Sequence, residues 1–304
     1  MASGPRSDEG DTTRVLTVRG RSPRAQSVAP RGRGRGRSRS RERRSDLGPR
    51  IVAALIAIPV AIFIVVEGGA VFAGALLVLG AICMHELYRM YARARPVRIG
   101  GLITLAGLLA AALWGGQSQV LLVAVVALPL VFVLALLSPR PTVGSVAITL
   151  LGIYWIGIAC ALAVLLRDLH HGMGIVIDVL VGTFIGDTGA YFGGRMFGRR
   201  QLAPTISPGK TVEGLFIGMG CAVLAVWIAG RYQEWLPGTH ALVLGLGVAL
   251  VGPLGDLFES FIKREAQIKD SGGLFGAHGG ALDRLDAALF TIIVGYYIWL
   301  AYVH

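Results

Sequence analysis

Between Gly255 and Asp286 the chain reads GDLFESFIKREAQIKDSGGLFGAHGGALDRLD, a run of charge inside a protein that is otherwise largely hydrocarbon. Carboxylates at Asp256, Glu259, Asp283 and Asp286 can hold hard cations, and Lys263, Arg264, Lys269 and Arg284 can hold phosphates. The glycines between them let backbone come close to a ligand. A charge at the centre of a membrane helix costs about 2.5 kcal/mol or more on insertion scales, so a cluster of this size implies use. Asp256, Glu259, Ser260 and Lys263 recur at helical spacing and share one face, as do Asp283 and Asp286, three apart. If the two faces meet, three or four carboxylates converge. Mg²⁺ suits such a set, because it takes oxygen ligands in octahedral geometry and keeps positions for substrate phosphates. Interhelical salt bridges with snorkelling Lys and Arg are the plainer use of the same residues. The density of charge and the HGG turn favour a metal-dependent phosphate or nucleotide site. His278 fits three roles: stabilising a leaving phosphate, orienting an aspartate, or holding the loop.

A second polar segment, GDTGAYFGGRMFGRRQLAPTISPGKTVEG, runs from Gly186 to Gly214. Asp187 sits near the inner end of an apolar run, and Arg195, Arg199, Arg200 and Lys210 supply positive charge. Ser207-Pro208 followed by Lys210-Thr211 predicts a tight turn opening the next helix, whose first amides could face an anion. The GKT triplet is not a phosphate-binding P-loop. That motif needs a glycine five residues before Gly209, where Pro204 stands, and no soluble strand precedes it.

These segments must be positioned by membrane helices. Only 15% of the residues are charged against 54% hydrophobic, whereas soluble domains carry about 25% charged residues. Nine apolar runs are long enough to cross a bilayer, near 51–66, 68–86, 99–115, 118–137, 144–166, 174–193, 212–231, 240–262 and 283–303. Their length predicts helices rather than barrel strands, hence an all-α polytopic fold. Alternation puts twelve Lys and Arg on one side (Arg89, Arg93, Arg95, Arg98, Arg140, Arg195, Arg199, Arg200, Lys210, Lys263, Arg264, Lys269). The other side receives two, Arg167 and Arg231. The positive-inside rule then makes the first side cytoplasmic, with the N-terminus inside, the C-terminus outside and both polar segments on the inner face.

Residues 1–49 contain thirteen Arg and five acids with few large apolar groups, and are expected to be a disordered cytoplasmic tail ahead of a transmembrane catalytic domain at 50–304. Such a tail suits an anionic lipid surface, and nucleic acid is not the expected partner. It is not a cleavable signal peptide, since the apolar run starts too late. Cys83, Cys160 and Cys221 lie in apolar stretches without a CxxC pair and imply neither disulfides nor a cysteine metal site. An ion-coupled transporter would need acids near mid-membrane and polar residues at both faces; here the acids cluster at one end.

Ser260–Asp286 reads SFIKR, four residues, KDSGGLFGAHGGALDRLD, and this closely resembles the pattern of the phosphatidate cytidylyltransferases (CDP-diacylglycerol synthases). The GDxxAYxxG element from Gly186 and the ISPxKTVEG element from Ile206 resemble the same family, in the expected order. Ala281 stands where a larger aliphatic residue is usual, and Gly209 where a polar one is common. The Arg-rich tail has no counterpart in the family core. The resemblance implies transfer of CMP from CTP to phosphatidic acid, giving CDP-diacylglycerol and pyrophosphate in phospholipid biosynthesis. It implies Asp256, Asp283 and Asp286 as ligands of a metal centre with Mg²⁺ and a second monovalent cation such as K⁺. Lys263, Arg264, Lys269 and Lys210 are then candidates for phosphate contacts, with Ser207 and Ser260 as hydrogen-bond donors. Asp187, Tyr191, Asp270, His278 and Arg284 are assigned to the substrate pocket. A homodimer in the inner membrane is the family expectation. The set of spaced aspartates after a DG pair that marks CDP-alcohol phosphotransferases is absent. A CTP-using polyprenol kinase would lack the KD…HGG…DRxD combination.

Overall fold

The structure, a computed structural model, describes residues 58–268 and 280–303, all within the unit Pro49–His304. The N-terminal tail and three of the candidate site residues, Lys269, Asp270 and His278, lie outside the described residues. In hydrocarbon every backbone N–H and C=O must find a partner inside the protein, and a helix supplies them from its own segment. The described chain accordingly runs through α1 (Ile58–Glu67), α2 (Gly69–Met90), α3 (Arg98–Trp114), α4 (Gln117–Leu136) and α5 (Val143–Asp168). It continues with α6 (Gly172–Phe197), α7 (Val212–Arg231), α8 (Gly238–Glu265) and α9 (Leu282–Val303). Each coincides with one predicted span. Seven are long and apolar enough to cross a membrane, and α1 and α3 are shorter. The chain is an all-α, multi-pass membrane protein.

The helices that matter for chemistry are longer than a bilayer core requires. With 28 residues, α8 spans about 42 Å against a hydrocarbon thickness of about 30 Å. Its last turns therefore project beyond the hydrocarbon, and they carry Glu259, Lys263 and Arg264. α5 is the most enclosed of the seven long helices and forms the centre of the bundle. It starts from a capping box, with Thr142 Oγ1 accepting from Ser145 N and Ser145 Oγ accepting from Thr142 N. A five-residue π turn at Ile153–Gly157 interrupts it. Tyr88 of α2 donates to the Thr149 carbonyl of α5 at 3.1 Å. A hydroxyl pair, Thr183 and Thr291 at 2.9 Å, links α6 to α9 deep in the bundle.

One element departs from the sequence reading. The segment expected to turn at Ser207-Pro208 and open a helix forms a hairpin, β1 (Gln201–Ala203) and β2 (Ser207–Thr211). The strands pair antiparallel, Gln201 opposite Thr211 and Ala203 opposite Ser207. The turn falls earlier, at Pro204–Ile206. Pro208 is compatible with β2 because a two-stranded ribbon leaves each strand one unpaired edge, where a missing N–H costs nothing. α7 then starts one residue after the hairpin, with Thr211 Oγ1 accepting from Gly214 N at 3.1 Å. That cap takes up one of the amides expected to face an anion.

Candidate active site

α6 runs toward the charged end of the bundle, and its last turns carry Asp187, Tyr191 and Arg195 on one face, four residues apart. α7 runs back from that end and packs against α6 through small residues. A side chain at Gly218 would meet the Ala190 Cβ at 2.6 Å and the Gly186 carbonyl at 2.7 Å. This close approach leaves a cleft at the charged end, roughly 340 Å³ in volume, between α6, the hairpin, α7 and α8. Asp187, Tyr191, Arg195, Lys210, Thr211 and Asp256 line it. Pro253 of α8 also lines it; having no N–H, it leaves the helix one backbone bond short just before Asp256.

The hairpin delivers Lys210 to the cleft. Lys210 Nζ lies 2.5 Å from Asp256 Oδ2, both side chains being partly buried. Four hydrogen bonds fix the hairpin. Glu213 Oε2 accepts from the backbone N–H groups of Arg199 at 3.0 Å and Arg200 at 3.2 Å. Gln201 Nε2 donates to the Pro208 carbonyl at 3.2 Å. Arg264 Nε donates to the Ile206 carbonyl at 3.0 Å and ties the hairpin turn to α8. Tyr191 accepts from Arg195 Nη1 at 3.3 Å.

Behind the cleft, α8 and α9 carry the remaining acids. Lys263 Nζ stands between Glu259 Oε2 at 2.5 Å and Asp283 Oδ1 at 3.2 Å. Asp283 Oδ2 accepts from Gly280 N at 2.9 Å. Lys263 thus joins the two helices and does not line the cleft. Glu259 is almost fully buried and Asp286 is 7% exposed. The Asp286 carboxylate accepts from Ala287 N at 2.8 Å and interacts electrostatically with Asp256, Asp187 and Lys263. Ser207 lies in β2 and Ser260 in α8, neither among the residues lining the cleft, and Arg284 is exposed in the first turn of α9.

The helix pair is set by one glycine. A Cβ at Gly255 would meet the Asp286 carbonyl at 2.5 Å and the Ala287 Cα at 2.9 Å, so α8 touches the backbone of α9 beside Asp256 and Asp286. Gly255→Ala is expected to force the helices apart, lowering stability by about 1–3 kcal/mol as overpacking does. Thermal unfolding of the purified variant in detergent reads this as a lower Tm.

Glu86, in the last turns of α2, was not among the predicted site residues. Buried to 3% exposure, it accepts from Ala281 N at 3.1 Å through Oε1 and from Leu282 N at 2.9 Å through Oε2. These are the entry amides of α9, the helix that carries Asp283 and Asp286. A carboxylate there also complements the positive end of the helix dipole. The neighbouring Tyr91 hydroxyl donates to the Ile262 carbonyl of α8 at 3.1 Å. Burial, with Glu265 nearby, pushes the Tyr91 phenol up and keeps it a donor.

Among the described residues no three of His, Cys, Asp or Glu stand close enough together to form a metal centre. The donor chemistry still fits Mg²⁺, which is commonly held by one or two carboxylates with water and substrate phosphates completing the shell. Asp256 and Asp286, brought together by the contact at Gly255, offer that pair, and Asp187 lines the cleft with Asp256. Asp283 instead faces Lys263 and Gly280. The site therefore combines hard oxygen donors with two cations, Lys210 and Arg195, at a membrane boundary.

Residues 48–302 match the Cytidylyltransferase family. A phosphatidate cytidylyltransferase of Bacillus subtilis is 32% identical over 268 residues, covering 83% of this chain and 97% of that protein. One from Pseudomonas aeruginosa is 36% identical over 268 residues, covering 82% and 95%. One from Haemophilus influenzae is 40% identical over 126 residues, covering 40% and 44%. With the match running from before α1 into the last turn of α9, this chain belongs to the cytidylyltransferase family.

Proposed function

We propose that the protein is a Mg²⁺-dependent phosphatidate cytidylyltransferase, whose active site is the Lys210–Asp256 cleft on the cytoplasmic face of the membrane. The observation that carries this reading is the juxtaposition of Lys210, Arg195, Asp187, Asp256 and Asp286 at the charged end of a membrane bundle. The phosphate of phosphatidic acid attacks the α-phosphorus of CTP, a new P–O bond forms, and the bond to the β-phosphate oxygen breaks to release pyrophosphate. Two anions must meet, so the protein has to neutralise charge and hold them in line. Lys210 and Arg195 contact the phosphates. Asp256 and Asp286 would hold the Mg²⁺, which would supply charge neutralisation to the triphosphate, and Asp187 faces the substrate in the cleft. Lys263 holds Glu259 within α8 and Asp283 on α9, and through Asp283 keeps α9 in register with α8.

The test is pyrophosphate release by detergent-purified protein given CTP, phosphatidic acid and Mg²⁺, beside Lys210→Met. Lipid-dependent release is expected, with the variant slower by about 10²-fold, the scale of losing one charged donor from a transition-state site. Full activity in Lys210→Met would remove the cleft from the reaction. No release from folded wild-type protein across several phosphatidates would overturn the cytidylyltransferase assignment.

A further inference from the structure

A second cavity, distinct from the polar cleft, lies between α1, α2, α5, α6 and α9 and encloses roughly 580 Å³. Its walls are aliphatic and aromatic side chains, small residues and the thiols of Cys83 and Cys160. On two of its helices the turn beyond the last apolar lining residue carries a carboxylate at three-residue spacing, Glu86 after Cys83 on α2 and Asp187 after Phe184 on α6, and on α9 Asp286 stands between the lining residues Leu285 and Ala288. Residues three apart share a helix face, about 4.5 Å along the axis. One end of the groove therefore borders the layer of acids, and Asp187 lines the polar cleft itself. The other end lies on α6 at Val176, eleven residues and about 16 Å from Asp187. The rim is open sideways, with Val78 62% and Phe184 49% exposed on helices that span the bilayer.

An occupant of this groove must be hydrocarbon along its length and polar at the end that meets the acids. We propose that the groove holds one acyl chain of the lipid phosphate substrate and acts as a ruler for its length, delivering the head group at the Asp187–Asp286 border. The inference rests on the reaction proposed above. A second copy of the chain could fill an apolar groove, but the alignment of its end with three carboxylates fits an amphiphile. Lipid tails are as apolar as the groove wall, so moving a chain from bilayer to groove yields little affinity. What the groove adds is orientation of the phosphate and discrimination by length, the contribution that fixed geometry makes to a bimolecular reaction.

The far end supplies the test, because filling it shortens the groove without touching the acids. Ala163→Trp on α5 and Val176→Phe on α6, two independent variants, are assayed for pyrophosphate release with dihexanoyl and dioleoyl phosphatidate in mixed micelles. The expected result is a fall of about tenfold or more in kcat/KM for the long chain relative to the short, the scale on which a pocket discriminates by size. Activity with the short chain stays near wild type in whichever variant retains its thermal unfolding midpoint. Equal effects on both lipids, or none on either, would overturn the groove assignment. So would a changed oligomeric state with unchanged length preference, which would give the groove to a second copy. Wild-type protein inactive on both lipids would instead fail the reaction itself.

Discussion

Asp286→Asn is expected to abolish most catalysis while leaving the protein folded, with kcat/KM falling about 10²–10³-fold, equivalent to roughly 3–4 kcal/mol of transition-state stabilisation. Asp286 is nearly buried, and it shares its electrostatic surroundings with Asp256, Asp187 and Lys263. Asn has almost the same shape, and its carbonyl oxygen can keep the bond from Ala287 N. What disappears is the negative charge. In the proposed reaction that charge is a hard donor for Mg²⁺ opposite a polyanionic substrate, so its loss should raise the Mg²⁺ concentration for half-maximal rate as well as lower the maximum. Initial rates over a Mg²⁺ titration, beside thermal unfolding in detergent, check both parts. A folded variant with near-wild-type rates would make Asp286 a packing residue and move the metal elsewhere.

Glu86→Ala should act through α9 rather than through substrate. It removes both acceptors for the Ala281 and Leu282 amides and leaves two donors buried without that partner, at a cost of about 1–3 kcal/mol each. A Tm lower than wild type and an activity loss of more than tenfold are expected together. Glu86→Gln separates the two effects. Its single carbonyl oxygen can satisfy one amide, so the helix stays docked while the pair of aspartates loses half of its anchor. Glu86 is a positioning residue, so kcat should fall in the folded Gln variant while KM for phosphatidate stays unchanged. Parallel losses of kcat and folded fraction, with no kcat deficit per folded molecule, would reduce Glu86 to a structural cap.

The helical nature of the nine described segments was legible because length and hydrocarbon content decide it; a bilayer leaves the backbone no alternative to internal bonding. Residue type and position at span ends singled out Asp187, Tyr191, Lys210 and Asp256, which the fold brings to one cleft, and Asp286, which it places behind that cleft. Glu86 was not singled out. It stands at the edge of the predicted span 68–86, where a charge needs no explanation, and its partners follow 195 and 196 residues later. The Lys263 pairings were hidden for the opposite reason. A lysine among acids reads as a phosphate ligand until Glu259 and Asp283 are found on either side of it. The hairpin escaped because β1 has only three residues and β2 contains Pro and Gly. Such short strands owe their form to pairing and to Arg264 and Glu213, not to intrinsic preference.

The backbone contact at Gly255 has a mechanical side. Helices adapt to bilayers of different thickness by tilting, at fractions of a kcal/mol per Å of mismatch. Where two of them meet main chain to main chain, the contact behaves as a pivot. It lies at the level of Asp286, so a tilt of α8 against α9 sweeps Gly238 and Val303 through the largest arc and leaves the carboxylates almost stationary. A pivot at this level is expected to let tilt adapt the two helices to bilayers of unequal thickness with little change in the spacing of Asp256 and Asp286.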